Sequence, residues 1–168
     1  LEDAKKIFEI GFEKVVINSN AFNNLKLIED IAKYFGNQSI VGSIDVKKSF
    51  FGGQKVYSHH GKKKQNVDIV QWAKQLENTG VGELLITSVD REGSWDGYDL
   101  DLIKSITQNV QVPVIANGGC GTVEHIGEVI KKANASACAV GSMVVYQKKE
   151  MGVLVNFPDR KNLVKYLN

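Results

Sequence analysis

The stretch Val114-Ile115-Ala116-Asn117-Gly118-Gly119-Cys120-Gly121, echoed downstream by Ala137-Cys138-Ala139-Val140-Gly141-Ser142, decides the reading of the fold. Each half reads as a buried strand opening into a Gly-rich turn. Together they predict a phosphate clamp, because a (β/α)8 barrel commonly holds an anion on the loops after its seventh and eighth strands. Glycine serves such a turn in two ways: it allows positive φ, and without a Cβ it lets backbone N–H groups approach the anion closely. A Gly-Gly-x-Gly turn alone also makes a plain strand-to-helix connection. The second strand, ending in Gly141-Ser142, is what favours phosphate.

Outward from this stretch, strand and helix patterns alternate through the whole chain, the signature of a parallel α/β fold. Helices are expected over Leu1 to Glu9, Leu25 to Phe35, Val67 to Asn78, Leu100 to Gln108 and Val123 to Lys132, with a short one over Leu163 to Leu167. Strands are expected over Lys14 to Asn18, Ser39 to Asp45, Glu83 to Val89, Val112 to Ala116 and Ala135 to Val140. Between Asp45 and Lys62 the pattern changes to two β-rich segments meeting at Gly52-Gly53, a pair suited to a hairpin turn. This excursion carries function or is a decorative hairpin.

Five strands are three short of a closed barrel, and a typical barrel has about 250 residues. Leu1-Glu2-Asp3-Ala4-Lys5-Lys6 is already helical in pattern, with no initiator Met and no upstream capping residue. Residues 1–168 are therefore expected to be the C-terminal portion of a single barrel domain, with the N-terminal strands missing. Exposed sheet edges then invite pairing with another copy, so self-association of the truncated barrel is expected.

Composition narrows the class. With 168 residues, 43% hydrophobic and 24% charged, the chain can bury a sizeable core. A net charge of +2 gives no reason to expect a nucleic-acid partner. Neither an apolar run of membrane-spanning length nor a signal-peptide pattern is present, so no membrane association is expected and a cytoplasmic location is the default. The two cysteines, Cys120 and Cys138, lack metal-ligand spacing and suit a reducing compartment.

Candidate chemistry sits at strand C-terminal ends. Asp45 follows Val41-Gly42-Ser43-Ile44, and the turn Asp90-Arg91-Glu92-Gly93 follows Leu84-Leu85-Ile86-Thr87-Ser88-Val89. Carboxylates facing each other across a barrel mouth suit paired acid and base work, although each also suits helix capping or pairing with lysine. Asn18-Ser19-Asn20 is an anion site or a plain N-cap loop. His59 and His60 are adjacent on a hairpin arm and point apart, while His125 has no partner at ligand spacing, so neither a metal nor another cofactor is expected. Trp95 and Tyr98 either stack on a substrate ring or pack under their loop, and Cys120, lacking an evident base, reads as a small filler.

Several motifs match one family: Lys14-Val15-Val16-Ile17-Asn18, Gly42-Ser43-Ile44-Asp45-Val46-Lys47, Tyr57-Ser58, Gly61-Lys62-Lys63, Gly82 through Gly93, Gly97-Tyr98-Asp99 and Asn117-Gly118-Gly119-Cys120-Gly121. Over nearly all its length the chain resembles the cyclase subunit of imidazole glycerol phosphate synthase, from that family's fourth strand to its eighth. The resemblance implies a partial (β/α)8 TIM barrel in a lyase of histidine biosynthesis. A glutaminase (HisH-like) partner would supply ammonia, and a bis-phosphorylated ribulosyl substrate would be cyclised to imidazole glycerol phosphate.

By the same resemblance Asp45 takes a catalytic position, and Asn18 and Ser19 one phosphate site. Gly93, Gly118, Gly119, Gly141 and Ser142 take the other, with Thr87 and Ser88 lining the pocket between. Lys14 and Glu83 fall where the family has a charged gate for ammonia; without the resemblance they read as surface charges.

The departures are informative. Glu92 stands where the family usually has Asp, and its extra methylene displaces the carboxylate by roughly 1 Å, which costs about a hundredfold in rate where geometry is tight. Asn117 stands where the family usually has Ser. These changes and the tail Gly152-Val153-Leu154-Val155-Asn156-Phe157-Pro158 look more like paralogues associated with surface-glycan gene clusters, implying ammonia delivery for converting an acetamido to an acetamidino sugar. Nothing corresponds to the family's first-strand aspartate and lysine, so the segment alone is expected to be inactive.

Overall fold

Within residues 1–49, 52–59, 62–147, 149 and 151–167, which the computed structural model describes, helix and strand alternate as the pattern predicts. The helices are α1 (Glu2–Glu9), α2 (Leu25–Phe35), α3 (Ile69–Thr79), α4 (Leu100–Thr107), α5 (Val123–Ala133), α6 (Ser142–Val145) and α7 (Arg160–Leu167). The strands are β1 (Val15–Ile17), β2 (Ile40–Lys48), β3 (Gln54–Ser58), β4 (Lys63–Lys64), β5 (Glu83–Ser88), β6 (Val114–Asn117) and β7 (Ala137–Cys138). His60 and Gly61 lie outside the described residues.

Helices α2, α3 and α4 start on capping side chains. Asn24, Asp68 and Asp99 accept the N–H groups of Leu27, Gln71 and Leu102 at 3.1, 3.0 and 3.2 Å. Each cap is worth about 1 kcal/mol and fixes where the preceding loop turns inward.

The strands β1, β2, β5, β6 and β7 are parallel neighbours in that order. Strand β1 pairs with the first residues of β2, and β3 runs antiparallel to its last ones, so both share one edge. The Asp45–Lys62 excursion is therefore a hairpin, and Gly52 and Gly53 in its turn have φ of +87° and +72°. It supplies β2 with partners as far as Lys48, past the expected end at Asp45. Strand β7 is shorter than expected, since it has a partner on one side only and its ladder with β6 ends at Cys138. Helix α6 was not anticipated from the sequence.

Side-chain alternation separates two faces. Ile40, Ile44 and Val46 of β2, Leu84 and Ile86 of β5, and Val114 and Ala116 of β6 are buried against the helices. Gly42 belongs to that face, where a methyl group would meet Leu76, Val81 and Leu84 at 3.1–3.3 Å. The other face is ordered in rows by the register: Ser43, Leu85 and Ile115 in one, and Asp45, Thr87 and Asn117 in the next. Five parallel strands covered by helices on one side, with layered side chains on the other, form part of the wall of a (β/α)8 barrel.

Candidate functional site

The row Asp45-Thr87-Asn117 stands at the C-terminal ends of three adjacent strands. Asn117 Nδ2 donates to Thr87 Oγ1 at 3.1 Å, which ties the row together. Beyond β5 the chain makes a short 3-10 turn over Val89–Arg91, and this swings Glu92 back over the row. Asp45, Thr87, Val89 and Glu92 then line a cleft of about 210 Å³. Ser88 is buried on the opposite face beside Val46, its register partner, so it turns away from this cleft.

Partial desolvation in the cleft, and secondarily the charge of Asp45, holds the Glu92 carboxyl above its ordinary range. Both causes oppose ionisation at Glu92, so this acid keeps its proton to higher pH than a free glutamate does.

Glu92 also borders a second cleft, of about 160 Å³, whose lining includes Gly93, Gly118, Gly119, Gly141 and Ser142. The family resemblance implies these five as a phosphate site, and the structure brings them together around one cleft. Gly118 and Gly119 have φ of +93° and +106°. A Cβ would lie 2.6 Å from the Ser88 carbonyl oxygen at Gly118, and 2.1 Å from that of Gly97 at Gly119. Their freedom thus serves close backbone packing within the loop as well as an open anion approach.

His125 and Tyr98 support this loop, and of the two readings of Tyr98 the structure shows packing under the loop, not an open face for a substrate ring. The Gly121 N–H donates to His125 Nδ1 at 3.2 Å, which fixes the turn to the first coil of α5. Tyr98, buried, donates from its hydroxyl to the Ala139 carbonyl at 2.8 Å and so holds the loop after β7. His125 looked partnerless because its partner is a backbone N–H, which spacing rules for metal ligands do not register. Burial pushes the thiols of Cys120 and Cys138 up, which suits packing and opposes nucleophilic use.

Asn18 and Ser19 line neither cleft. Asn18 Nδ2 donates to Ser43 Oγ at 3.2 Å, and Ser19 Oγ accepts the His59 N–H at 2.8 Å, so both connect the end of β1 to its neighbours. Lys14 and Glu83 form an ion pair at the opposite, N-terminal end of the strands. Among the described residues no group of three or more His, Cys, Asp and Glu is placed to hold a metal ion, and no helix is long and apolar enough to cross a membrane.

Residues 1–150 match the family model described as "Histidine biosynthesis protein". The chain is 44% identical over 163 residues to "Putative imidazole glycerol phosphate synthase subunit hisF2" of Pseudomonas aeruginosa, covering 97% of this chain and 65% of that protein. It is 41% identical to "Imidazole glycerol phosphate synthase subunit HisF" of Hydrogenobaculum sp., with the same coverage of 97% and 65%. To the protein of that name from Methanococcus vannielii it is 34% identical over 183 aligned positions, covering 97% and 67%. The chain spans about two thirds of the length of these curated relatives. The family match, these relatives and the parallel wall with its acids at the strand ends agree: the chain belongs to the histidine biosynthesis protein family, among its HisF-like members.

Proposed function

We propose that this chain is the part of a cyclase subunit running from the fourth to the eighth strand of a (β/α)8 barrel. In the intact barrel it cyclises a bis-phosphorylated ribulosyl substrate with ammonia to imidazole glycerol phosphate, releasing the other half of the substrate as an aminoimidazole carboxamide ribotide. The observation that carries this reading is the pair of adjoining clefts that share Glu92, one lined by carboxylates and the other by a glycine-rich loop. An elongated substrate anchored by phosphate on the loop presents its reacting carbons to the acids, so binding fixes orientation before chemistry.

Glu92, held protonated longer than a free glutamate, acts as the proton donor, and Asp45 as the base. Thr87, held by Asn117, orients the substrate between them. Asn18 and Ser19, at the far side of the wall, take the second phosphate by exchanging their present hydrogen bonds. Ammonia from a glutaminase partner enters at the Lys14–Glu83 end, opposite the acids. The test is turnover of the bis-phosphorylated ribulosyl substrate by the intact protein with added ammonium salt and no partner. Sustained turnover supports the cyclase reading.

A second reading is favoured by Glu92 in place of the family's usual Asp, together with Asn117 and the tail Gly152 to Pro158: a subunit that delivers ammonia to an acetamido sugar for surface-glycan synthesis, with its own cyclisation vestigial or altered. Substrate binding without turnover, unchanged in Glu92→Asp, supports it.

A further inference from the structure

A third cleft, of about 290 Å³, adjoins the glycine-lined one and shares Gly93 and Ser142 with it. Its other walls are Trp95, Tyr146, Lys149 and Met151. Trp95 has φ of +69°, a conformation rare for a bulky side chain and sustained only where the surroundings over-determine it. Part of that support is Gly121, where a Cβ would lie 2.5 Å from the Trp95 carbonyl oxygen. The same turn that shapes the proposed phosphate loop therefore also admits Trp95.

On the other wall, Gln147 N–H donates to the Gly152 carbonyl at 3.1 Å, and Leu154 N–H to that of Val145 at 3.0 Å. These bonds fold the chain back after α6 and return Lys149 and Met151 to the cleft. Tyr146 and Met151 are 42% and 46% exposed, so the rings and thioether open to solvent instead of filling the core. Among the described residues, neither the Trp95 indole N–H nor the Tyr146 hydroxyl has a hydrogen-bond partner.

We propose that this cleft binds the nucleoside portion of a nucleoside diphosphate compound. The inference rests on the glycine loop being a phosphate site. One phosphate sits on that loop, the base stacks on Trp95 and Tyr146, and the Lys149 ammonium faces the second phosphate. The glycine-lined cleft shares Glu92 with the carboxylate cleft and Gly93 and Ser142 with this one, so it adjoins both, and a group esterified to the diphosphate extends from it toward the acids. Two aromatic faces with free donors and one ammonium match a base and an anion, whereas a second sugar phosphate would use only the lysine.

The test is titration of the intact protein with UDP, ADP, pyrophosphate and inorganic phosphate, read by calorimetry and by Trp fluorescence against Trp95→Phe. The nucleoside diphosphates are expected to bind about tenfold more tightly than pyrophosphate, the advantage that one stacked base confers. They should also change fluorescence in a way that Trp95→Phe abolishes, and Trp95→Ala and Tyr146→Ala should each erode the advantage. Equal affinity for UDP, ADP and pyrophosphate overturns the subsite and leaves the phosphate loop standing. An advantage that survives both alanine variants overturns it as well. If none of the four anions binds, the phosphate reading fails and this proposal with it.

Discussion

Glu92 is the residue on which the two principal clefts turn, and its protonation can be followed directly. Partial desolvation is the larger cause of its raised carboxyl and the Asp45 charge the smaller one. In Asp45→Asn the Glu92 carboxyl should therefore titrate at lower pH than in the wild type, yet still above the ordinary value of 4.5. Carboxyl-detected NMR checks this, and an unchanged or higher titration contradicts it. The linkage sign follows: the folded chain binds this proton more tightly than the unfolded chain does. Its contribution to stability is full below the unfolded carboxyl range and is lost as pH rises through the raised value.

Gly119 makes a second test at this scale. Gly119→Ala places a methyl group 2.1 Å from the Gly97 carbonyl at φ of +106°, so it should cost about 1–3 kcal/mol and weaken phosphate binding. Chemical denaturation and phosphate titration read the two effects. Asp45, Glu92 and the glycines were legible in the sequence because strand ends and Gly-rich turns leave a local pattern. The facing of Ser88 away from Thr87 follows from alternation once the strand's limits are fixed.

Between elements, Asp99 joins three segments. Its Oδ1 caps α4, its Oδ2 accepts Gln54 Nε2 from the hairpin at 2.7 Å, and Arg91 Nε approaches the same oxygen at 3.9 Å. Arg91 Nη1 in turn donates to the Gly97 carbonyl at 3.0 Å, so the Glu92 loop is braced from behind. Asp99→Ala should destabilise the protein by about 1–3 kcal/mol, since it removes the cap and takes the acceptor from the half-buried Gln54 amide, while Arg91 keeps its bond to the Gly97 carbonyl. A loss below 1 kcal/mol in urea denaturation would contradict that role. The sequence marked Asp99 only as part of a motif, because its partners are distant in the chain and nothing local announces them. The hairpin was legible from Gly52-Gly53, but its extension of β2 depends on cross-strand pairing and was not.

At the scale of the whole molecule, the helices cover one face of the parallel wall, and Val16 on the other is 59% exposed. Leu85 and Ile115 of the same face are only half-buried. Apolar surface of this kind and the open outer edges of β1 and β7 favour association. Residues 1–168 expressed alone should therefore form oligomers or precipitate, and a monodisperse monomer in light scattering would contradict this. The barrel class was legible because alternating βα units extend through the whole chain, whereas the joining of the three clefts depends on loops whose paths no periodicity records.

In the proposed reaction the carboxylate cleft performs chemistry on a ligand that the glycine loop anchors. Its most direct test is ammonium-dependent turnover of the bis-phosphorylated ribulosyl substrate by the intact protein, wild type against Asp45→Asn, with phosphate binding measured in parallel. Asp45→Asn should lose turnover by about a hundredfold or more, with phosphate affinity retained. Turnover that survives in Asp45→Asn would contradict it.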